Sequence, residues 1–150
     1  MKKTLILGTV FLISGFIFGK FIHNNNEGNI ITTFNEKNMY YFLQEGVYTS
    51  KDAMEENSKN IRIKATDYKN DKYYVYLGIT GDYNIAKKLK EIYEKEGYQI
   101  SIKKDSISNE EFYNNVTQFD ILIKNTDNKE EILTIEEVVL ANFEETTKKE

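Results

Sequence analysis

The chain has 150 residues, a net charge of −4 and a pI near 5.2, with one histidine and neither cysteine nor proline. That length holds one modest domain with accessories. Without cysteine there is no thiol nucleophile, disulfide, lipobox or thiolate metal site, and an acidic balance with no basic stripe excludes nucleic acid as the expected partner.

After Met1, Lys2 and Lys3 the chain runs apolar from Leu5 to Ile22, broken only by Gly, Thr, Ser and Lys20. Spanning a bilayer takes about 17–25 helical residues, and a lysine near the end reaches back to the headgroups. Residues 1–22 are therefore expected to form an uncleaved transmembrane helix. A cleaved signal peptide is the rival reading, but it ends in small residues, whereas this segment ends in Phe16, Ile17, Phe18, Phe21 and Ile22. Lys2 and Lys3 precede the span, while Asn24, Asn25, Asn26 and Glu27 follow it. The positive-inside rule then puts the N-terminus in the cytoplasm and the rest outside, as a single-pass protein of the cell membrane. Residues 23–38 are polar and read as a linker. His23 lies in it and is assigned no chemistry.

Two stretches about thirty residues apart follow one plan: YYFLQEGVYTSKDA from Tyr40 and YYVYLGITGDYNIA from Tyr73. In the first, Tyr41 and Leu43 alternate with Phe42 and Gln44, a strand of period two that should end at Gly46. Ser50 is placed to cap a helix that turns Ala53 and Met54 inward. In NIRIKATDY, Ile61, Ile63 and Ala65 alternate with Arg62 and Lys64, which predicts a second strand. Residues 69–72 form a turn. A third strand puts Tyr73, Val75 and Leu77 on one face and Tyr74 and Tyr76 on the other. Asp82 caps a helix striped by Ile85, Ala86, Leu89 and Ile92 or Tyr93, and Gly97 ends it. YQISIKK is the fourth strand, with Ile100 and Ile102 on one face and Gln99 and Ser101 on the other.

The order is βαββαβ: an α+β, ferredoxin-like (split βαβ) domain with a four-stranded, antiparallel-rich sheet and two helices on one face. Phe42, Gln44, Arg62, Lys64, Tyr74 and Tyr76 are expected on the helix-free face, with either the last strand's isoleucines or Gln99 and Ser101 beside them. An aromatic sheet face without helices is the expected place for function. Asp67, Asp71, Asp82, Glu110 and Glu111 sit in turns or at helix starts, where capping explains them. No paired-carboxylate site, Ser-His-Asp set, phosphate loop or histidine-based zinc pattern is present, so no enzyme, catalytic residue, metal or cofactor is expected.

Ser108, Asn109, Glu110 and Glu111 form a capping-box signature opening a helix striped by Phe112, Val116, Phe119 and Ile123. A second helix from about Lys129 is striped by Ile132, Ile135 or Leu133, Val139 and Phe143. This C-terminal helical hairpin packs on its own domain or docks onto a partner protein.

Tyr41-x-Leu43-Gln44-x-Gly46-x-Tyr48, followed by Ser50-Lys51-x-Ala53, resembles the opening of a SPOR (sporulation-related repeat) domain. Tyr73-Tyr74-Val75-Tyr76-Leu77-Gly78, with Ala86, Leu89 and Gly97-Tyr98, is similar to its second half. The likeness covers residues 39–104, leaving residues 105–147 as a C-terminal helical extension. It implies an envelope protein of a bacterium, here of low-GC, Gram-positive type by composition, that binds peptidoglycan without catalysis. SPOR domains favour denuded glycan strands at division or sporulation septa and take them across the helix-free sheet face. By position, the resemblance carries the family's binding residues onto Gln44, Val47, Lys72, Tyr74 and Ile102, and Phe42 and Tyr76 share that expected face. Tyr74 stands where the family commonly has arginine, and Val47 where it has a small polar residue. The rival function is a membrane-tethered protein-interaction module of a cell-wall or sporulation complex, gripping its partner through the C-terminal helices.

Overall fold

The computed structural model describes residues 38–148. The expected membrane anchor and nearly all of the linker lie outside the described residues. Among the described residues no helix is long and apolar enough to cross a membrane. The elements are β1 (Met39–Tyr48), α1 (Lys51–Ser58), β2 (Ala65–Lys69), β3 (Lys72–Thr80), α2 (Tyr83–Lys95), β4 (Ser101–Ser106), α3 (Glu110–Lys124) and α4 (Lys129–Thr147). The four strands form one sheet in the order β2-β3-β1-β4, and every neighbouring pair is antiparallel. This is the α+β arrangement of a split βαβ fold, with two more helices added.

Local chemistry sets the joints. Ser50 accepts from the Ala53 N–H, Asp82 from Asn84 and Ile85, Asn109 from Phe112, and Asn128 from Glu130 and Glu131, so each of the four described helices starts at a side-chain N-cap. The cap of α3 is Asn109, within the capping-box signature. Asn70 and Asp71, at φ 53° and 57°, make the two-residue turn between β2 and β3, the backbone sense that suits a tight hairpin. Gly97, at φ 94°, ends the turn after α2.

Three boundaries differ from the sequence reading. β1 does not stop at Gly46 but continues to Tyr48, because two irregularities in its pairing with β3 cancel. Leu77 is the extra residue against Leu43–Gln44, and Glu45 is the extra one against Val75–Tyr76, so the pleat recovers its phase. β2 begins at Ala65 rather than near Asn60. Ile61 is buried by a bend before the strand, and Lys64 Nζ donates to the Ser58 carbonyl in the same connection. β4 starts at Ser101 and runs to Ser106, later than expected.

Leu43, Val75 and Leu77 are fully buried on the side of Met54 in α1 and Ile85, Ala86, Leu89 and Tyr93 in α2. The stripe of α2 therefore closes with Tyr93, whose hydroxyl donates to the Leu77 carbonyl at 2.6 Å. The opposite face is not free of helices. Tyr40, Phe42, Ala65, Tyr76 and Ile79 form one core with Phe112, Val116, Val139, Leu140 and Phe143 of the C-terminal hairpin. Each such apolar side chain contributes about 1.5–3 kcal/mol on burial, so the hairpin is a third structural layer. Its turn is tied to α2 by Lys88, which donates to the Thr126 carbonyl and pairs with Asp127, and by Lys124–Asp82 and Lys129–Glu96 ion pairs.

Candidate ligand-binding face

Strand register decides which of the candidate residues meet. Gln44 lies opposite Tyr76, Val47 opposite Tyr74, and Phe42 opposite Ile79. Lys72 precedes Tyr74 by two and shares its face. Phe42, Gln44, Val47, Lys72, Tyr74 and Tyr76 are thus on one side of the sheet. Ile102 is not among them: it lies opposite Leu43, on the side of α1 and α2.

The hairpin divides this face in two. Phe42 and Tyr76 are 3% and 2% exposed, with ring centroids 4.9 Å apart. Phe143 stands edge-on to both, at 5.8 and 5.9 Å. Burial pushes the Tyr76 hydroxyl up to about 12, so it stays neutral. No ligand reaches these two rings while Phe143 is in place. Beyond the cover, Gln44 and Tyr74 are half-buried and Val47 and Lys72 are exposed. The Tyr74 ring stacks on Tyr76 at 6.1 Å with a 17° interplanar angle, which carries the aromatic surface from the core to the open strip.

A cation crosses this strip. Lys69 Nζ lies 5.3 Å from the Tyr74 ring centroid and 5.8 Å from that of Phe42, and pairs with Asp105 of β4 at 2.5 Å. Burial alone would lower the lysine, but the Asp105 hydrogen bond and the neighbouring Asp105 and Asp67 charges raise it. Burial would raise the Asp105 carboxyl, and the Lys69 and Ser106 hydrogen bonds win and lower it. Both partners therefore stay charged near neutrality. The strip thus offers an aromatic ring, an amide, a fixed ion pair and an exposed lysine, a set that suits a polar ligand with apolar C–H faces, such as a sugar chain. Lys69 and Asp105 were not legible as partners, because they come from strands at opposite edges of the sheet.

Two further polar residues were missed. Asp120 and Glu136 are buried, at 8% and 0% exposure. Glu136 follows Ile132 by four and precedes Val139 by three, so helical spacing alone puts it on the apolar stripe. Asp120 stands likewise between Val116 and Ile123. Glu136 accepts a hydrogen bond from the sheet backbone, and Asp120 accepts from the Thr80 hydroxyl and from the Gly81 N–H just past β3. Neither lines the recess of about 150 Å³ whose wall includes Ile61, Arg62, Leu77, Tyr93, Glu96 and Leu133. Among the described residues no group of acids and histidines could hold a metal ion.

The stripe that a partner protein would have used is occupied by the chain's own sheet. Comparison with protein-family models, with curated proteins and with solved structures found no match.

Proposed function

We propose that this chain is a non-catalytic, SPOR-like peptidoglycan-binding module that takes a glycan strand on the open strip formed by Gln44, Val47, Lys72 and Tyr74. The observation that carries this reading is the Val47–Tyr74 row at the uncovered end of the sheet, with the Lys69–Asp105 pair beside it. Tyr74 supplies a surface for a sugar ring, Gln44 an amide for hydroxyl or acetamido groups, and the charged pair anchors the polar edge. Phe42 and Tyr76 support Tyr74 from the core rather than touching the ligand. The protein would act by localisation at division or sporulation septa, held to the membrane by its N-terminal helix with the domain extracytoplasmic. The interaction-module reading would need the outer faces of the hairpin instead of its apolar stripe.

The test is sedimentation of the full chain, in detergent, with purified cell-wall sacculi before and after amidase stripping of stem peptides. Binding that rises on stripped sacculi is expected, and it should be lost in Gln44→Ala/Tyr74→Ala with the circular dichroism unchanged. No sedimentation with either preparation overturns the reading.

A further inference from the structure

The C-terminal hairpin does more than cover an apolar face. β2 pairs with β3 only between Lys72 and Tyr76, so the outer edge of β3 beyond Tyr76 has no strand beside it. Open strand edges leave backbone N–H groups without partners. Here side chains of the hairpin supply the acceptors. Glu136 Oε2 accepts from the Ile79 N–H at 3.1 Å. Asp120 accepts from the Gly81 N–H at 2.9 Å and from the Thr80 hydroxyl at 2.5 Å. On the outer edge of β2, Glu144 Oε1 accepts from the Thr66 N–H at 3.2 Å. Three carboxyls of one hairpin thus hold two backbone amides of the sheet and a third just past the end of β3, and the Glu136 bond is fully buried.

The surroundings of Asp120 and Glu136 are poor in positive charge. Asp120 faces Thr80 and the Gly81 N–H from β3 and its end, Asp82 at the start of α2, Lys124 of its own helix, and Tyr40 of β1. Lys124 is itself paired with Asp82 at 2.7 Å. Glu136 faces the Ile79 N–H, Asp120 and Tyr93, and its second oxygen is buried with no hydrogen-bond partner. The Glu136 cradle, with no cation and one oxygen unpartnered, accommodates a neutral carboxylic acid better than a carboxylate; at Asp120 the two donors favour the carboxylate, and burial beside Asp82 outweighs them.

We infer that the hairpin is a pH-responsive clamp on the sheet, tight when Asp120 and Glu136 are protonated and loosened as they ionise. Burial pushes Asp120 up to about 7, against the pull of its Thr80 and Gly81 hydrogen bonds, and burial raises Glu136 well above its ordinary value. Both folded-state values lie above the unfolded ones. The clamp therefore holds fully below the ordinary carboxylate range, weakens as pH rises towards 7 through Asp120, and weakens further as Glu136 ionises. Loosening would uncover Phe42 and Tyr76 and lengthen the aromatic strip. That consequence for glycan capture rests on the function proposed above; the clamp itself does not.

The experiment is a pH titration of the full chain in detergent micelles, from pH 5 to 9, followed by nuclear magnetic resonance and thermal melting with no glycan present. The Gly81 amide resonance is expected to titrate with a midpoint of about 7. Contacts between the Val139 or Leu140 methyls and Ile79 should weaken over the same range, and the melting temperature should fall by several degrees. Asp120→Asn with Glu136→Gln should abolish the fall. A Gly81 midpoint below pH 5, or contacts and melting temperature unchanged to pH 9, overturns the clamp. If the double variant does not fold, the wild-type titration alone decides. Sacculus binding at the two ends of the range is then measured separately, so failure of the clamp and failure of glycan binding remain distinguishable.

Discussion

Glu136 of α4 accepts a hydrogen bond from the Ile79 N–H of β3 at 3.1 Å while its side chain is completely buried. A helix that only rested on the sheet would have no use for a carboxyl there. The bond joins the last helix to the bare edge of a central strand and makes the C-terminal extension part of the domain.

Replacing Glu136 separates its hydrogen bond from its charge. Glu136→Gln keeps an acceptor for Ile79 and removes ionisation, so its urea midpoint should equal or exceed that of wild type at pH 8. Glu136→Ala leaves the buried Ile79 N–H without a partner, which costs about 1–3 kcal/mol before any cavity is counted. For Asp120 the sign is that of a raised carboxyl. Stability present below its ordinary value of 3.8 is lost as pH rises to about 7. Wild type should therefore denature at lower urea at pH 8 than at pH 5, and Asp120→Asn should flatten the difference.

Phe143 is the residue that closes the aromatic core. Its ring meets Phe42, Tyr76 and Phe112 at centroid distances between 5.8 and 6.1 Å. Phe143→Ala should cost about 3–5 kcal/mol in chemical denaturation. The near-ultraviolet circular dichroism of the tyrosines should fall with it, since Tyr76 loses its fixed edge-on neighbour.

Two glycines are expected to respond differently to alanine. At Gly78 a Cβ would lie 3.1 Å from Glu136 Oε2 and 3.4 Å from both Leu43 and Leu89, all in the interior. Gly78→Ala should cost about 1–3 kcal/mol as overpacking. At Gly46 the nearest atoms a Cβ would meet are the outer part of the Tyr48 ring, at 2.5–2.7 Å, and that ring is half-exposed and held at its tip by one hydrogen bond to Glu45, so it can yield. Gly46→Ala should cost little, and Tyr48→Ala should remove what cost there is. Thermal melts of the two single variants and the Gly46→Ala/Tyr48→Ala double settle the comparison.

Much of the fold was legible in short-range chemistry. The caps Ser50 and Asp82, the period-two run of Tyr74 and Tyr76, and the stripe through Phe112 and Val116 each depend on neighbours a few residues away. What covers a sheet face does not. The stripe of Phe112, Val116, Val139 and Phe143 announces only that it needs an apolar surface, and nothing local says that the surface is Phe42 and Tyr76. The misplacement of β2 has a similar origin, because Ile61 and Ile63 alternate like a strand while serving a bend. Ile102 came by position from the resemblance, and its side follows from pairing with Leu43, a register that composition does not carry. Glu136 was readable in principle, as an acid inside a helical stripe.

The Lys69–Asp105 pair should contribute little to stability. Its side chains are 35% and 47% exposed, and pairs of that kind are worth about 0–1 kcal/mol. Asp105 is lowered, so its share is present above 3.8 and fades as pH falls through the depressed value. Lys69→Met should leave the neutral-pH melt within about 1 kcal/mol of wild type while weakening glycan binding in sacculus sedimentation. That split separates a residue of the ligand strip from one of the core.

The most direct measurement of where the ligand sits is chemical-shift mapping of the full chain on titration with soluble, peptide-free glycan fragments. The expected result is a contiguous set of perturbed amides at Gln44, Val47, Lys72 and Tyr74, with Ile102 on the opposite face unmoved. Shifts centred on the outer surfaces of α3 and α4, or no shifts at saturating glycan, would contradict it.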